Sequence, residues 1–207
     1  MSPYKPGMSV LILGGGPIGL SVIQALKARG DGTIIVSEVS KKRSEYAKEF
    51  GATHILDPRK DDIVARCREI CDGVGPHCVF DAAGVQAGLD QAIHAVRARG
   101  TIVNIAVWSV VLNAYGTHDT NARCREKPFT MFANDLVFKE RTWVGIATYV
   151  PGDFEAVLDA ISSGRMKPEK MITKRIKLDE VVEEGFHALI KDKENQVKIL
   201  VEAAGGN

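Results

Sequence analysis

Two hydrophobic periodicities alternate along the first half of the chain. Short, nearly continuous apolar segments bounded by glycine, proline or charged residues predict buried strands. The segments between them carry apolar residues three and four positions apart, which predicts helices with one buried side. The predicted strands are residues 9–13, 33–37, 54–56, 78–81 and 101–107, and the predicted helices are residues 18–29, 40–50, 61–71 and 89–97.

This alternation of strand and helix indicates the fold class. Strands rich in Val and Ile, without a polar face, are typical of a parallel sheet that is covered on both faces. The chain is therefore predicted to be an α/β protein with a doubly wound parallel sheet and helices on both faces. The less regular second half predicts strands at residues 141–149, 172–176 and 196–201, and helices at residues 153–163 and 178–191.

The turn after the first strand carries the clearest candidate chemistry. Gly14-Gly15-Gly16-Pro17-Ile18-Gly19 matches the pattern GxGxxG between a predicted strand and a predicted helix. Gly14 permits the tight turn, Gly16 lets the backbone approach a diphosphate, and Gly19 lets helix and sheet pack closely. Free N–H groups and the helix dipole then face the anion. A turn without a ligand is the alternative, but three adjacent glycines cost conformational entropy that a plain turn avoids. The pattern predicts a Rossmann-type dinucleotide-binding fold.

Glu38 ends the second predicted strand, nineteen residues after Gly19. A carboxylate at this position accepts hydrogen bonds from both ribose hydroxyls of an adenosine and repels a 2′-phosphate, which favours NAD over NADP. Lys41, Lys42 and Arg43 oppose this interpretation, because their charges attract that phosphate. We interpret the two lysines as a solvated first helical turn and expect Arg43 to stack on the adenine.

Composition narrows the classes of partner. The chain has 207 residues and a formal net charge of +1, which gives no electrostatic reason to expect nucleic acid or an acidic membrane surface. No apolar run reaches the roughly 18 residues of a membrane span. The four cysteines form no CxxC pair, so we expect free thiols in a reducing cytoplasm. A zinc site formed by Cys67, Cys71 and Cys78 is the weaker alternative.

Several segments together resemble the cofactor domain of zinc-type medium-chain dehydrogenases/reductases. They include "KPGMSVLILGGGPIGL", "EVSKKRSEYAKEFGATHILDP", "FDAAGVQAGLDQAI", "FANDLVFKERTWVG" and "ITKRIKLDEVVEEGFHALIKDKENQVKILV". The resemblance covers nearly the whole chain and is strongest to the polyol branch, that of the butanediol, sorbitol and threonine dehydrogenases. It implies NAD-dependent hydride transfer between a secondary alcohol, such as a vicinal diol, and the matching ketone.

The resemblance also implies further site residues. Ala82, Ala83 and Gly84 would line the adenine side and ribose of the cofactor. Ile105, Ala106 and Val107 would lie along the nicotinamide and offer backbone groups to its carboxamide, and Ile146 and Ala147 would close over that ring. For Ile105 and Ile146, plain sheet core is an equal alternative. The family dimerises through an edge strand, so we expect a homodimer formed through residues 141–149.

The resemblance implies two units. We expect a dinucleotide-binding domain at residues 1–170 and, at residues 171–207, a tail that in the family packs on an N-terminal catalytic domain. That domain binds zinc through Cys, His and Glu, whereas this sequence begins where the family enters its first cofactor-domain strand. We assign no catalytic and no metal-binding residue here, and expect a fragment that is inactive alone. A non-catalytic nucleotide-binding or dimerisation module and a zinc-free reductase of the quinone type are the alternatives.

Residues 109–125, "SVVLNAYGTHDTNARCR", match no part of the family pattern. Without them, Trp108 would join Glu126 in a segment that continues the pattern. We interpret the segment as an insertion, and the hypothesis is a short retained intron. The alternative is a true surface loop after the fifth strand, and in either case we expect it to be exposed and poorly ordered.

Overall fold

The computed structural model describes residues 4–108, 110–111, 125–126, 129–192 and 194–203. In chain order the strands are β1 (Val10–Leu13), β2 (Ile34–Ser37), β3 (His54–Leu56), β4 (Cys78–Asp81), β5 (Thr101–Asn104), β6 (Val110–Val111), β7 (Arg125–Glu126), β8 (Thr142–Gly145), β9 (Ile172–Lys177) and β10 (Lys198–Glu202). The α-helices are α1 (Pro17–Arg29), α2 (Lys41–Glu49), α3 (Ile63–Ile70), α4 (Gln86–Ala95), α5 (Ala133–Val137), α6 (Pro151–Ser162) and α7 (Ala188–Lys191).

Within the described ranges, the main sheet has six strands in the order β3-β2-β1-β4-β5-β8, and every neighbouring pair is parallel. The chain builds outward from β1 to β3 and then crosses back to place β4 on the other side of β1. This reversal of strand order opens a crevice at the carboxyl ends of β1 and β4, where doubly wound folds bind ligands. The predicted α/β fold with a doubly wound parallel sheet is confirmed.

Apolar side chains fill both faces of the sheet. Because successive strand residues point to opposite faces, Val10 and Ile12 belong to one buried cluster and Leu11 and Leu13 to the other. Helices α1 and α2 contribute to the first cluster, and helices α3 and α4 contribute to the second. Helices on both faces explain why the sequence of β1 shows a continuous apolar run.

The fifth strand is shorter than the sequence predicts. Strand β5 ends at Asn104, not at residue 107. The Ile105 N–H still continues the ladder by donating to the Asp81 carbonyl at 2.9 Å, but the Ala106 N–H donates to the same carbonyl at 3.0 Å, so the alternation of a strand stops there. The strand therefore ends three residues earlier, and the chain forms a loop beside β4. The sixth predicted strand is likewise shortened to Thr142–Gly145.

Beyond α6, strands β9 and β10 form a separate parallel pair. The segment predicted as one helix, residues 178–191, changes its hydrogen-bond pattern from a 3₁₀ turn at Leu178–Glu180 to a π-helix at Val181–His187 before α7. Gly185 is buried in this run, and a Cβ there would lie 3.2 Å from Ile176 Cδ1. Gly185 therefore packs closely on β9 within the π-helical part of this segment.

Most of residues 109–125 lies outside the described residues. Within that segment, β6 pairs with β7 in an antiparallel ladder that extends to Glu126. The expectations that this segment is exposed and poorly ordered concern residues outside the described part of the chain. No helix among the described residues is long and apolar enough to cross a membrane.

Candidate functional site

The glycine turn joins β1 to α1 at the carboxyl edge of the main sheet. Gly14 has a φ of +93°, which would strain a side chain, and its N–H donates to the Ser37 carbonyl at 2.9 Å. A Cβ on Gly19 would come within 1.9 Å of the Gly14 carbonyl oxygen, so glycine is required for this packing. Gly16 is extended, and the nearest atom to a Cβ there would be Arg43 Nη1 at 3.9 Å. The surface above Gly16 is therefore open.

No side chain in the described part of the chain caps the start of helix α1. Pro17 at its first position has no N–H, and the N–H groups of Ile18 and Gly19 have no intrahelical acceptor because they belong to the first turn. Ile18 is 52% exposed. An anion above Gly16 would meet these donors and the positive end of the helix dipole, so the turn fits a diphosphate.

Glu38 links this turn to the next helix. Its side chain is buried, its Oε2 accepts the Gly15 N–H at 2.6 Å, and its Oε1 accepts the Ser40 N–H at 2.7 Å. A carboxylate offers about four acceptor positions. Two of them hold the backbone, which leaves about two for the hydroxyls of a ribose placed at this strand end.

Helix α2 brings basic side chains to the same region. Ser40 caps the helix by accepting the Arg43 N–H at 3.3 Å. This start places the Arg43 guanidinium next to the glycine turn. Lys42 pairs with Glu45 at 3.7 Å and lies 5.4 Å from the ring centroid of Tyr46. One of the two neighbouring lysines is thus held along the helix surface.

Arg59 braces the loop that follows Glu38, a role that the sequence analysis missed. Its Nη2 donates to the Val39 carbonyl at 2.7 Å, and its Nε and Nη2 hold both carboxylate oxygens of Asp57 at 2.9 and 2.8 Å. These hydrogen bonds from Arg59 lower the pKa of Asp57 to about 2. The charged sequence Asp57-Pro58-Arg59 was the available signal, but its target on Val39 depends on the fold.

Asp81 organises two loops of the site and was also missed as a functional residue. Its buried Oδ1 accepts the N–H groups of Ala83 and Gly84 at 2.9 and 3.1 Å, while its backbone carbonyl accepts those of Ile105 and Ala106. Its Oδ2 is buried without a hydrogen-bond partner among the described residues. The signal was an acidic residue ending a buried strand, the same signal that identified Glu38.

The loops after β1, β4 and β5 touch one another. A Cβ on Gly14 would lie 3.4 Å from the Ala82 carbonyl oxygen, and one on Gly84, at φ +64°, would lie 3.0 Å from the Ala106 Cβ. Val107 is 89% exposed. The predicted residues after these three strands therefore form one continuous surface.

The loop after β8 joins this surface from the far side. The Ile146 N–H donates to the Asn104 carbonyl at 3.0 Å, and both Ile146 and Ala147 are exposed. Ile105 instead packs against the first core cluster. The Ile105 side chain therefore packs on the sheet core, as one alternative expected, whereas the Ile146 side chain is exposed and does not.

The structure brings all the predicted cofactor positions to one edge of the sheet, at the carboxyl ends of five strands. They are Gly14, Gly16, Pro17, Ile18, Gly19, Glu38, Arg43, Ala82, Ala83, Gly84, Ile105, Ala106, Val107, Ile146 and Ala147. Several large apolar side chains are exposed along this edge. They are Ile18, Val39, Val85, Val107 and Ile146.

The alternative of a zinc site formed by three cysteines is wrong. Cys78 belongs to the first core cluster, whereas Cys67 and Cys71 belong to the second, so the sheet separates them. Burial raises the pKa of Cys67 to about 12, which keeps this thiol protonated. Among the described residues, no group of three or more His, Cys, Asp or Glu side chains could hold a metal ion.

Comparison with known proteins agrees with this geometry. A family model described as "Zinc-binding dehydrogenase" matches residues 17–163. The chain is 41% identical to the (R,R)-butanediol dehydrogenase of Bacillus subtilis over 97% of the chain and 52% of that protein. It is 35% identical to a probable diacetyl reductase [(R)-acetoin forming] of Saccharomyces cerevisiae, over 96% of the chain and 45% of that protein.

Solved structures give the same result. The crystal structure of 2R,3R-butanediol dehydrogenase from Bacillus subtilis superimposes with a TM-score of 0.83 at 40% identity, over 98% of this chain and 52% of that one. The crystal structure of "a putative zinc-binding dehydrogenase" from Sinorhizobium meliloti bound to NADP superimposes with a TM-score of 0.77 at 27% identity, over 98% of this chain and 54% of that one. The chain spans about half the length of the curated relatives it matches. The chain therefore belongs to the zinc-binding dehydrogenase family, of which it contains the dinucleotide-binding half.

Proposed function

We propose that this chain is the NAD(H)-binding part of a dehydrogenase that interconverts secondary alcohols, vicinal diols above all, and the matching ketones. The observation that carries the proposal is the open, uncapped glycine turn at Gly14–Gly19 with the Glu38 carboxylate bound directly beside it. The substrate class follows the names of the similar proteins, a butanediol dehydrogenase and a probable diacetyl reductase.

In this proposal each loop of the edge has one task. The N–H groups of the glycine turn hold the diphosphate, and Glu38 accepts the ribose hydroxyls. Arg43 stacks on the adenine, and the loop of residues 82–84 lines the adenine side and ribose. Residues 105–107 direct backbone groups at the nicotinamide carboxamide, while residues 146–147 cover the ring. The exposed apolar side chains of this edge suit the flat faces of the two bases.

We propose NAD rather than NADP as the cofactor. The buried Glu38 carboxylate keeps about two acceptor positions for hydroxyl donors, and its negative charge repels a 2′-phosphate. Of the three opposing charges, that of Lys42 lies 3.7 Å from the Glu45 carboxylate. The NADP-bound relative at 27% identity makes this preference a point to be tested.

The bound cofactor would supply the hydride acceptor or donor. The described residues supply binding and orientation: Asp81 fixes the loops of residues 83–84 and 105–106 through its hydrogen bonds, so the carboxamide meets a preformed backbone surface. Polarisation of the substrate oxygen belongs to the family's zinc domain, which lies outside the matched half of the relatives. We therefore expect negligible alcohol turnover from this chain alone.

We also propose how the chain is organised. Residues 1–170 form the dinucleotide-binding unit with an insertion at 109–125, and residues 171–207 form a tail that packs on the catalytic domain. Exposed apolar side chains at Leu178, Phe186 and Ile190 support an additional partner for this tail. Strand β8 is an edge of the main sheet, so we propose that a second copy pairs along it. The buried free thiols suit a reducing cytoplasm.

The proposal is tested by titrating the chain with NADH and NADPH while tryptophan is excited and nucleotide emission is recorded. The chain has two tryptophans, Trp108 and Trp143, and both contact Phe129, with ring centroids 5.2 and 5.3 Å apart. Trp108 directly follows the residues 105–107 that we propose to lie along the nicotinamide. We expect saturable energy transfer to NADH, weaker binding of NADPH, and no oxidation of 2,3-butanediol. No change in emission or melting temperature with NADH would refute dinucleotide binding. Turnover without another domain would refute the dependence on the zinc domain.

A further inference from the structure

A second cleft lies at the opposite edge of the main sheet, where the strands begin. It is formed by the end of α3 and by the segments that precede β4, β5 and β8, and its volume is about 420 Å³. The candidate cofactor residues all follow the carboxyl ends of the strands. Because a strand of four residues rises roughly 13 Å, the two sites are separate.

The cleft is strongly basic. Its lining includes Arg68, Arg97, Lys139 and Arg141, and it includes no acidic side chain among the described residues. The neighbouring carboxylates do not neutralise it fully. Glu140 pairs with Arg99 at 2.8 Å, outside the cleft. Asp135 raises the pKa of Arg141, but burial and the neighbouring Arg68 act in the opposite direction and the net pKa is lowered.

Backbone carbonyls, not carboxylates, hold the guanidinium groups in place. Arg141 donates to the Val96 carbonyl at 2.7 Å and to the Asp135 carbonyl at 3.1 Å, and Arg68 donates to the His94 carbonyl at 3.2 Å. These contacts fix the side chains without cancelling their charge.

Two nitrogen atoms at this cleft have unmet hydrogen-bonding capacity. Arg97 Nε and Arg141 Nε are both buried without a partner among the described residues. Buried polar atoms are nearly always paired, and an unpaired one is costly. An oxyanion in the cleft would supply acceptors and compensate the charge at once.

We propose that this cleft binds a small oxyanion that carries two or more negative charges, such as a diphosphate or a tricarboxylate. The planar forks of three arginines suit the paired oxygens of phosphate and carboxylate groups. The volume lies in the range of small-molecule pockets, about 300–1000 Å³. The proposal does not depend on dinucleotide binding at the other edge.

The test is amide chemical-shift mapping of the ¹⁵N-labelled chain at low ionic strength, with pyrophosphate and with citrate added in separate titrations. We expect saturable shifts at the amides of Gly73, Val74 and Ala98, which line the cleft. A response to pyrophosphate alone assigns the site to phosphate compounds, and a response to citrate alone assigns it to polycarboxylates. Each of these results supports the site.

Substitutions of single basic side chains test which of them bind the anion. Arg97→Gln should weaken binding about tenfold, which corresponds to about 1.4 kcal/mol. Lys139→Gln should weaken it less, and this exposed residue can be replaced without disturbing the core. Arg175→Gln, an exposed substitution on β9, is the matched control and should leave binding unchanged.

Three outcomes would overturn the proposal: no saturable shift with either anion, shifts confined to the amides of residues 14–19, or unchanged affinity in both Arg97→Gln and Lys139→Gln. NADH binding measured on the same variants separates the two sites. It should be retained in Arg97→Gln whether or not the anion binds.

Discussion

Replacing Gly16 by alanine tests the glycine turn without disturbing the fold. Gly16 has φ −72° and ψ −174°, an extended conformation that alanine adopts readily. A Cβ at this position would have Arg43 Nη1 as its nearest neighbour, at 3.9 Å, which is an ordinary contact. We therefore expect the free energy of unfolding to change by less than about 0.5 kcal/mol, as for an unstrained surface substitution.

The same methyl group should weaken dinucleotide binding. It occupies the open surface above the turn, where the diphosphate must approach the N–H groups of the first helical turn. Losing one hydrogen bond to a charged group costs about 1.5–3 kcal/mol, so NADH should bind roughly 10- to 100-fold more weakly.

The assay is tryptophan-excited NADH emission on both proteins, with guanidinium denaturation to measure stability. Gly152→Ala is the matched control, because a Cβ there would meet nothing within 4 Å and the residue lies in α6. It should leave the affinity unchanged and should not lower stability, since alanine favours a helix more than glycine does. Gly19→Ala should show the opposite pattern and destabilise the fold, since its Cβ would lie 1.9 Å from the Gly14 carbonyl oxygen.

One result would refute this reasoning. If Gly16→Ala folds normally and binds NADH with the affinity of the unmodified chain, the diphosphate does not lie on the turn. A loss of stability equal to that of Gly19→Ala would show instead that Gly16 is required for packing.

Three further predictions concern side chains that the fold buries or pairs. Glu38→Gln should destabilise the chain by about 1–3 kcal/mol in denaturant titration, because one backbone N–H would then face an amide donor; an unchanged midpoint would contradict the two hydrogen bonds to Gly15 and Ser40. Cys67, with its pKa raised to about 12, should stay unlabelled by a thiol reagent at pH 8 until the chain unfolds, as read by peptide mass spectrometry. Asp57 should titrate at about 2 by NMR, below its ordinary 3.8. Because pairing with Arg59 lowers this pKa in the folded state, its stabilising effect should be complete above about pH 4 and lost as the pH falls toward 2.

The sequence predicted most of the fold because its signals are local. Strand β1 is buried on both faces and therefore reads as a continuous apolar run, and the helices that cover it show apolar spacing of three and four. The end of β5 was predicted three residues too late. The apolar run continues through Val107, whereas in the fold the ladder stops where the Ile105 and Ala106 N–H groups share the Asp81 carbonyl of the neighbouring strand.

The site was partly predictable for the same reason. Gly14–Gly19 and Glu38 belong to a motif in which each residue has a local task. Asp81 and Arg59 were missed as functional residues because their tasks lie across the fold, on residues 105–106 and on Val39. The basic cleft was missed too, since Arg68, Arg97 and Arg141 lie far apart in sequence and meet at one sheet edge.

By itself, the sequence determined the α/β class, the glycine turn and the acidic end of the second strand, because periodicity and turn chemistry act over a few residues. The tertiary structure decided which distant groups meet. It places the Glu38 carboxylate in hydrogen-bonding contact with both the glycine turn and the start of α2, and the Asp81 carboxylate in contact with the loop that follows β4. It separates Cys78 from Cys67 across the sheet, and it brings two arginine Nε atoms without hydrogen-bond partners among the described residues to one cleft. These contacts depend on the order in which parallel strands pair, and that order follows from packing the whole chain, which no local pattern encodes.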